Sequence, residues 1–254
     1  MIYDCFTFFK EFDLLKIRCE ELKPLNVNHV LVECTHSFTG KPKPLFFKEN
    51  YDEFRGYNII HGIINNPPNN GNAWDNEKFQ RNNIILGLEN CNDSDIVIIG
   101  DADEIPRAQA IKNYHIGMGQ TALVMDKFGY FLNCIEGKQS WKSSRIMPYS
   151  YLKDKTPNEV RNSGFDNQIE HAGWHWSYLG GVEAIRNKLD SFSHQECNTP
   201  KLNNEEVLKH KLEIGQSLWS NEPHDLWPFV EIDDSFPEYV QKNKEQFSHL
   251  IKQI

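Results

Sequence analysis

The segment Asp95-Ile-Val-Ile-Ile-Gly-Asp-Ala-Asp-Glu-Ile-Pro106 constrains this chain more than any other: an apolar run ends abruptly in three carboxylates and a proline. Residues 96–99 have no polar face, the pattern of a strand covered on both sides, as in a parallel sheet. Asp101 and Asp103 stand two apart, so in extended backbone their side chains leave on the same side. Two carboxylates at the carboxyl end of a parallel strand suit a hard divalent cation, and that edge is where open α/β sheets bind ligands. The pattern predicts a metal on Asp101 and Asp103 that holds phosphates. Glu104 then either orients Asp103 or caps a helix that Pro106 opens. A capped loop is the plain alternative, but three adjacent acids repel unless a cation sits among them.

The surrounding sequence alternates strand and helix. Residues 2–9 read as a strand, and 11–22 as a helix with Phe12, Leu15, Cys19 and Leu22 on one stripe. Residues 30–34 and 58–64 read as strands. Residues 65–72 are a polar Pro/Gly loop that either closes over a ligand or merely connects. Residues 75–88 read as a helix N-capped by Asp75 and stapled by Trp74 and Phe79. Such alternation predicts an α/β fold with a mostly parallel, Rossmann-type sheet flanked by helices. Beyond it, residues 122–132 hold one or two strands, 137–169 are polar and turn-rich, 182–192 form a helical stripe, and Val240, Phe247 and Ile251 suggest a last helix. The expectation is one domain with a nucleotide-binding half at about 1–115 and an acceptor half at about 116–254, sharing one sheet.

The 254 residues carry a formal net charge of −9, which argues against nucleic acid and anionic membrane surfaces as partners. An acidic chain must bind an anionic nucleotide through a metal, helix N-termini or a few placed cations. The six cysteines form no C-x-x-C pair and read as buried thiols in a reducing compartment. The sequence opens without a signal peptide and contains no run long enough for a membrane span, so a cytoplasmic protein is expected.

Strand ends place Phe8, Glu11, Glu33 and Asp101 along one edge as donor contacts. One of Phe8 and Phe9 packs in the core and the other is free to stack on a base, and Glu33 is as readily a solvated strand end.

Taken in order, Lys10-Glu-Phe-Asp-Leu-Leu15, Val32-Glu-Cys34, Phe38-Thr-Gly-Lys-Pro-Lys-Pro44, Trp74 with Arg81, Asp101-Ala-Asp-Glu-Ile-Pro106 and Ala172-Gly-Trp-His175 resemble glycosyltransferase family 17. The resemblance covers residues 1–110 well and about 170–195 in part. It implies a GT-A-like fold and inverting transfer of N-acetylglucosamine from a UDP donor to a carbohydrate acceptor, assisted by Mn2+, with Mg2+ as the alternative. With it, Asp103 becomes the leading metal ligand and Asp101 a metal or ribose contact. His175 or His194 completes the shell; a histidine favours manganese. Trp174 and Trp176 are plates for acceptor sugars or core side chains. Gly181, at a helix start, and Arg81, ahead of Lys41, offset diphosphate charge. Inversion needs a base, for which Glu170 is chosen over Asp166 and Glu196. Two other readings stand beside this one. A phosphatase of the haloacid dehalogenase type also uses Asp-x-Asp, but wants Thr or Val where Ile105 stands. A non-catalytic glycan- or nucleotide-binding module would bind without turnover.

Overall fold

The computed structural model describes residues 1–220 and 222–254. The chain runs β1 (Ile2–Thr7), α1 (Phe12–Leu22), β2 (Asn28–Cys34), α2 (Phe46–Glu49), β3 (Ile59–Ile64), α3 (Ala73–Asn82), β4 (Ile96–Asp101) and β5 (Glu104–Pro106). It continues through α4 (Ala108–Asn113), β6 (Thr121–Leu123), β7 (Met125–Gly129), β8 (Ile135–Trp141), β9 (Arg145–Pro148) and α5 (Pro157–Asn162). It ends with β10 (Asn167–Ile169), β11 (Gly173–Ser177), α6 (Gly181–Ser191), α7 (Glu205–Ile214) and α8 (Glu238–Lys242).

The expected mostly parallel sheet is present, with seven strands in the order β10-β6-β9-β4-β1-β2-β3. β1 lies parallel between β4 and β2, with Cys5 opposite both Ile99 and Val30. Period-two alternation divides the apolar residues between its faces. Cys5, Val30, Val32, Val97 and Ile99 pack under Ile84 and Leu88. Phe6 and Leu31 pack against Leu15 and Cys19 of α1. Both faces are covered, which is why residues 30–32 and 96–99 read as apolar runs; Asp4 is a buried polar exception within β1.

The halves do not share one sheet throughout. β6, β9 and β10 extend the first sheet, β9 running antiparallel to β4. β5, β11, β7 and β8 form a second, four-stranded sheet. Its apolar face is closed by Ile232, Phe236, Val240, Phe247 and Leu250 from the C-terminal segment. The stretch 137–169, expected to be turns, contributes β9 and α5, because Arg145–Pro148 is fully buried against β4.

Several local expectations shift. Asn72, not Asp75, caps α3, accepting from the Trp74 backbone N–H at 3.1 Å. Trp74 is therefore inside the helix rather than stapling it, and it is exposed. After Asn82 the helix tightens to a 3-10 segment, Asn83–Leu88. Pro106 lies in β5 and Arg107 precedes α4. The last helix is only Glu238–Lys242. All six cysteines are free; Cys91 and Cys197 are only half-buried. Among the described residues no helix is long and apolar enough to cross a membrane.

Candidate functional site

The loop joining β4 to β5 carries the acidic motif, and three arginines hold it. Asp4 of β1 is fully buried and takes a two-point ion pair from Arg18 of α1, at 2.6 and 2.7 Å. The Arg18 guanidinium then donates to the carbonyls of Asp101 and Glu104 at 2.9 and 2.8 Å. Burial opposes the Asp4 charge, but Arg18 and His29 outweigh it and hold the carboxyl well below the usual range. Above the loop, Arg161 of α5 bonds both oxygens of Glu104, at 2.7 and 2.6 Å, and Asp101 Oδ2 at 2.6 Å. Arg81 of α3 takes Asp101 Oδ1 at 3.0 Å. Trp141 and Ser144 also donate to Glu104, each at 2.6 Å. Glu104 is thus the buried hub of the loop.

Asp103 faces the other way. Its backbone carbonyl accepts the Trp176 N–H at 2.8 Å, tying the loop to β11. In the register of that pair, Gly173 lies opposite Pro106 and His175 opposite Glu104. A Cβ on Gly173 would stand 2.1 Å from the Ile105 carbonyl oxygen, so only glycine permits this approach. The pairing brings His175 Nε2 to 3.7 Å from Asp103 Oδ1. Trp141 stacks on the imidazole, centroids 4.2 Å apart, and Nδ1 has no partner among the described residues. Burial pushes the His175 pKa down, which leaves it in the neutral form that binds metals. Lys188 of α6 pairs with Asp103 Oδ2 at 2.9 Å. Burial alone would raise the Asp103 carboxyl, but Lys188 and His175 hold it below the usual range.

These groups line a cavity of about 1240 Å³ that opens at the carboxyl ends of β1 and β4, where Thr7 and Asp101 enter its wall. Phe8, Glu11, Arg81, Asp101, Asp103, His175, Trp176 and His194 all reach that wall. Phe8, however, is buried edge-on to Phe12 and Phe47, while the half-buried Phe9 packs edge-on to Phe46 with Lys43 Nζ 5.3 Å from its ring centroid.

Other expected residues lie elsewhere. Glu33 is fully buried and bonds the Phe47 N–H, with Lys43 and His61 beside it, because residues 41–47 fold over the end of β2. Glu170 is exposed, bonds Gln168 and does not border the cavity. Gly180, rather than Gly181, reaches the wall. Trp174 and Trp176 stack on one another in the core with centroids 5.7 Å apart, and their indoles donate to the Ser235 and Leu132 carbonyls. Neither is free to act as a sugar plate. Asp101 has both oxygens occupied by arginines. His194 is exposed at the rim and groups with Glu196 and Cys197 rather than with Asp103. His194 with Glu196 and Cys197 forms a separate group at the rim close enough to hold an ion, while of the expected metal ligands Asp103 and His175 are the two brought together in the cavity wall. Two suffice when phosphate oxygens and water take the other positions.

Sequence reasoning missed Arg18, Arg161, Lys188, Trp141 and the exposed cavity tryptophan Trp219, and it read Trp74, also exposed in the wall, as a staple and motif residue rather than as a cavity contact. A signal for Arg161 was present: Thr156-Pro-Asn-Glu159 is a capping box, and both of its hydrogen bonds are made. It announces a helix where a loop was expected.

Comparisons with known proteins place the chain in a family. The chain is 25% identical over 288 aligned positions to the beta-1,4-mannosyl-glycoprotein 4-beta-N-acetylglucosaminyltransferase of Rattus norvegicus, covering 95% of this chain and 53% of that protein. The Homo sapiens protein of that name is 25% identical over 287 positions, with the same coverage. The chain thus spans about half the length of the curated relatives it matches. Among solved structures, the inositol-1-phosphate CTP transferase from T. maritima aligns with a TM-score of 0.32 at 12% identity, covering 70% of this chain and 84% of that one. The model of glycosyltransferase family 17 matches residues 1–252, which displaces the phosphatase alternative: the chain belongs to glycosyltransferase family 17.

Proposed function

We propose that the chain transfers a sugar, N-acetylglucosamine, from a UDP donor to a hydroxyl of a glycan acceptor, with inversion and with Mn2+ held by Asp103 and His175. The observation that carries this reading is the 3.7 Å approach of the Asp103 carboxylate to the His175 imidazole in the wall of a 1240 Å³ cavity. A divalent ion there would neutralise the charge that develops on the leaving diphosphate. The chain supplies the rest. Arg81, Arg161 and Arg18 fix the acidic loop so that Asp103 needs no rearrangement. The half-buried Phe9 ring, which lines the cavity beside Lys43, is the aromatic assigned to the base. Trp74 and Trp219, exposed in the wall, are the aromatic plates for acceptor sugars.

Glu11 takes the role of base. One oxygen accepts the Phe9 and Lys10 N–H groups at 3.0 Å, and the other has no partner among the described residues. Burial raises its pKa, with Lys188 opposing and Asp103 reinforcing, so it is better placed to take a proton than the ion-paired carboxylates nearby.

The test is UDP release from UDP-N-acetylglucosamine with Mn2+ and a panel of glycan acceptors. Asp103→Ala should lower turnover on the order of 100-fold or more while leaving the circular dichroism unchanged. Absence of both donor binding and UDP release with any divalent metal defeats the proposal. Binding without turnover across acceptors would point to the non-catalytic module instead.

A further inference from the structure

Lys188 sits where a cation for phosphate would be wanted, yet no motif announces it. It comes from α6, more than 80 residues after the acidic loop, and its Nζ lies 2.9 Å from Asp103 Oδ2 and 3.1 Å from Ser177 Oγ. The Tyr178 ring backs it with its centroid 5.0 Å away. An ammonium has three hydrogens, and the protein accepts two. The side chain is 32% exposed and forms part of the cavity wall. The cavity's arginines differ: Arg81 is directed to Glu77, Asp101 and Asn158, and Arg161 to Asp101 and Glu104. Those two organise the loop. Lys188 is held by one carboxylate and one hydroxyl and keeps a donor for a ligand. Asp103 meanwhile has a free side, Oδ1 toward His175, and a paired side, Oδ2 on Lys188.

We infer that Lys188 is a built-in cation for the donor, giving its remaining N–H to the diphosphate of a nucleoside diphosphate beside the ion position, with Asp103 orienting both. This rests on the donor reading above and adds a residue that touches the substrate. It also makes the ammonium and the metal competitors for the charge of Asp103, because two cations on one carboxylate repel.

Calorimetric titration of the full chain with UDP and with MnCl2 tests this, on the wild type, Lys188→Met and Lys188→Arg. In saturating Mn2+, Lys188→Met should weaken UDP binding roughly 10- to 100-fold, the scale of one charge-assisted hydrogen bond. Lys188→Arg, which keeps the charge, should stay within a fewfold of wild type. Mn2+ alone, without nucleotide, should bind Lys188→Met more tightly than wild type, which loss of folding could not produce. Wild-type UDP affinity retained in Lys188→Met at saturating Mn2+ overturns the inference and leaves the donor reading standing. Failure of wild type to bind UDP, with or without metal, overturns both.

Discussion

Glu104 has no contact with solvent, yet five hydrogen bonds converge on its carboxylate, from the Asp101 N–H, Trp141, Ser144 and two nitrogens of Arg161. A buried carboxylate survives only when so surrounded. Its partner Arg161 is the one full positive charge among those donors. Arg161→Met should therefore destabilise the protein by about 3–5 kcal/mol, since it strands a buried charge. Adding Glu104→Met should recover only part of that loss, because it removes the stranded charge but leaves the Asp101 N–H, Trp141 and Ser144 without their acceptor. Urea denaturation of the single and double variants measures both effects, and an unchanged midpoint for Arg161→Met would refute the assigned role. At this scale the sequence showed the acids but not their counter-ions. Three adjacent carboxylates demand cations, and a metal was the simplest supply. Arg18, Arg81, Arg161 and Lys188 are distributed over 171 positions of sequence, and no local spacing reveals that they converge.

Between elements, the contact that builds the site is the antiparallel pairing of β5 with β11. It alone brings His175 to Asp103, and it depends on Gly173. Gly173→Ala would drive a Cβ into the Ile105 carbonyl and should cost about 1–3 kcal/mol, the range for overpacking. It should also separate His175 from Asp103, so Mn2+ affinity should fall with stability. Gly164→Ala is the control: nothing lies within 4 Å of a Cβ there, and its effect should be within about 0.5 kcal/mol. Thermal melts and Mn2+ titration of the two variants separate the cases, and equal behaviour would show that the pairing tolerates a methyl. β1, β2 and β4 were legible because a doubly covered strand writes itself as an apolar run. β11 was legible in part. Gly-Trp-His-Trp-Ser alternates, so both tryptophans must leave on the face opposite His175. A wet site for the histidine therefore implied a dry one for Trp174 and Trp176. β9 was masked by surrounding polar residues, and only tertiary packing against β4 decides it, whereas α5 carried a local signal in its capping box.

Over the whole molecule, the acidic loop is a knot tied by helices from both halves of the chain. Arg18 and Arg81 arrive from the first half, Arg161 and Lys188 from the second, so the charge state of the loop and the integrity of the fold are linked. Asp4 and Glu104 are fully buried, and their ion pairs hold both carboxyls far below their unfolded values. In the unfolded chain these groups protonate near pH 4. Below that pH the unfolded state binds two protons that the folded state refuses, so stability falls with acid. The slope should approach about 2.7 kcal/mol per pH unit from these two groups together. Glu11 and Glu21 act in the opposite direction. Burial raises their pKa values, so between their folded and unfolded values the native state binds the extra protons and gains stability as pH drops. The expected profile is a shallow rise in stability on mild acidification toward the unfolded carboxylate range, followed by a steep loss below about pH 4. Urea midpoints between neutral and acidic pH trace it. Asp4→Asn should be less stable at neutral pH, because Arg18 is left buried without its counter-charge, and its acid limb should be about half as steep, since one of the two protons is gone. If the acid limb of Asp4→Asn keeps the wild-type slope, Asp4 is not the charge that anchors Arg18, and the grip of α1 on the acidic loop must be explained in another way.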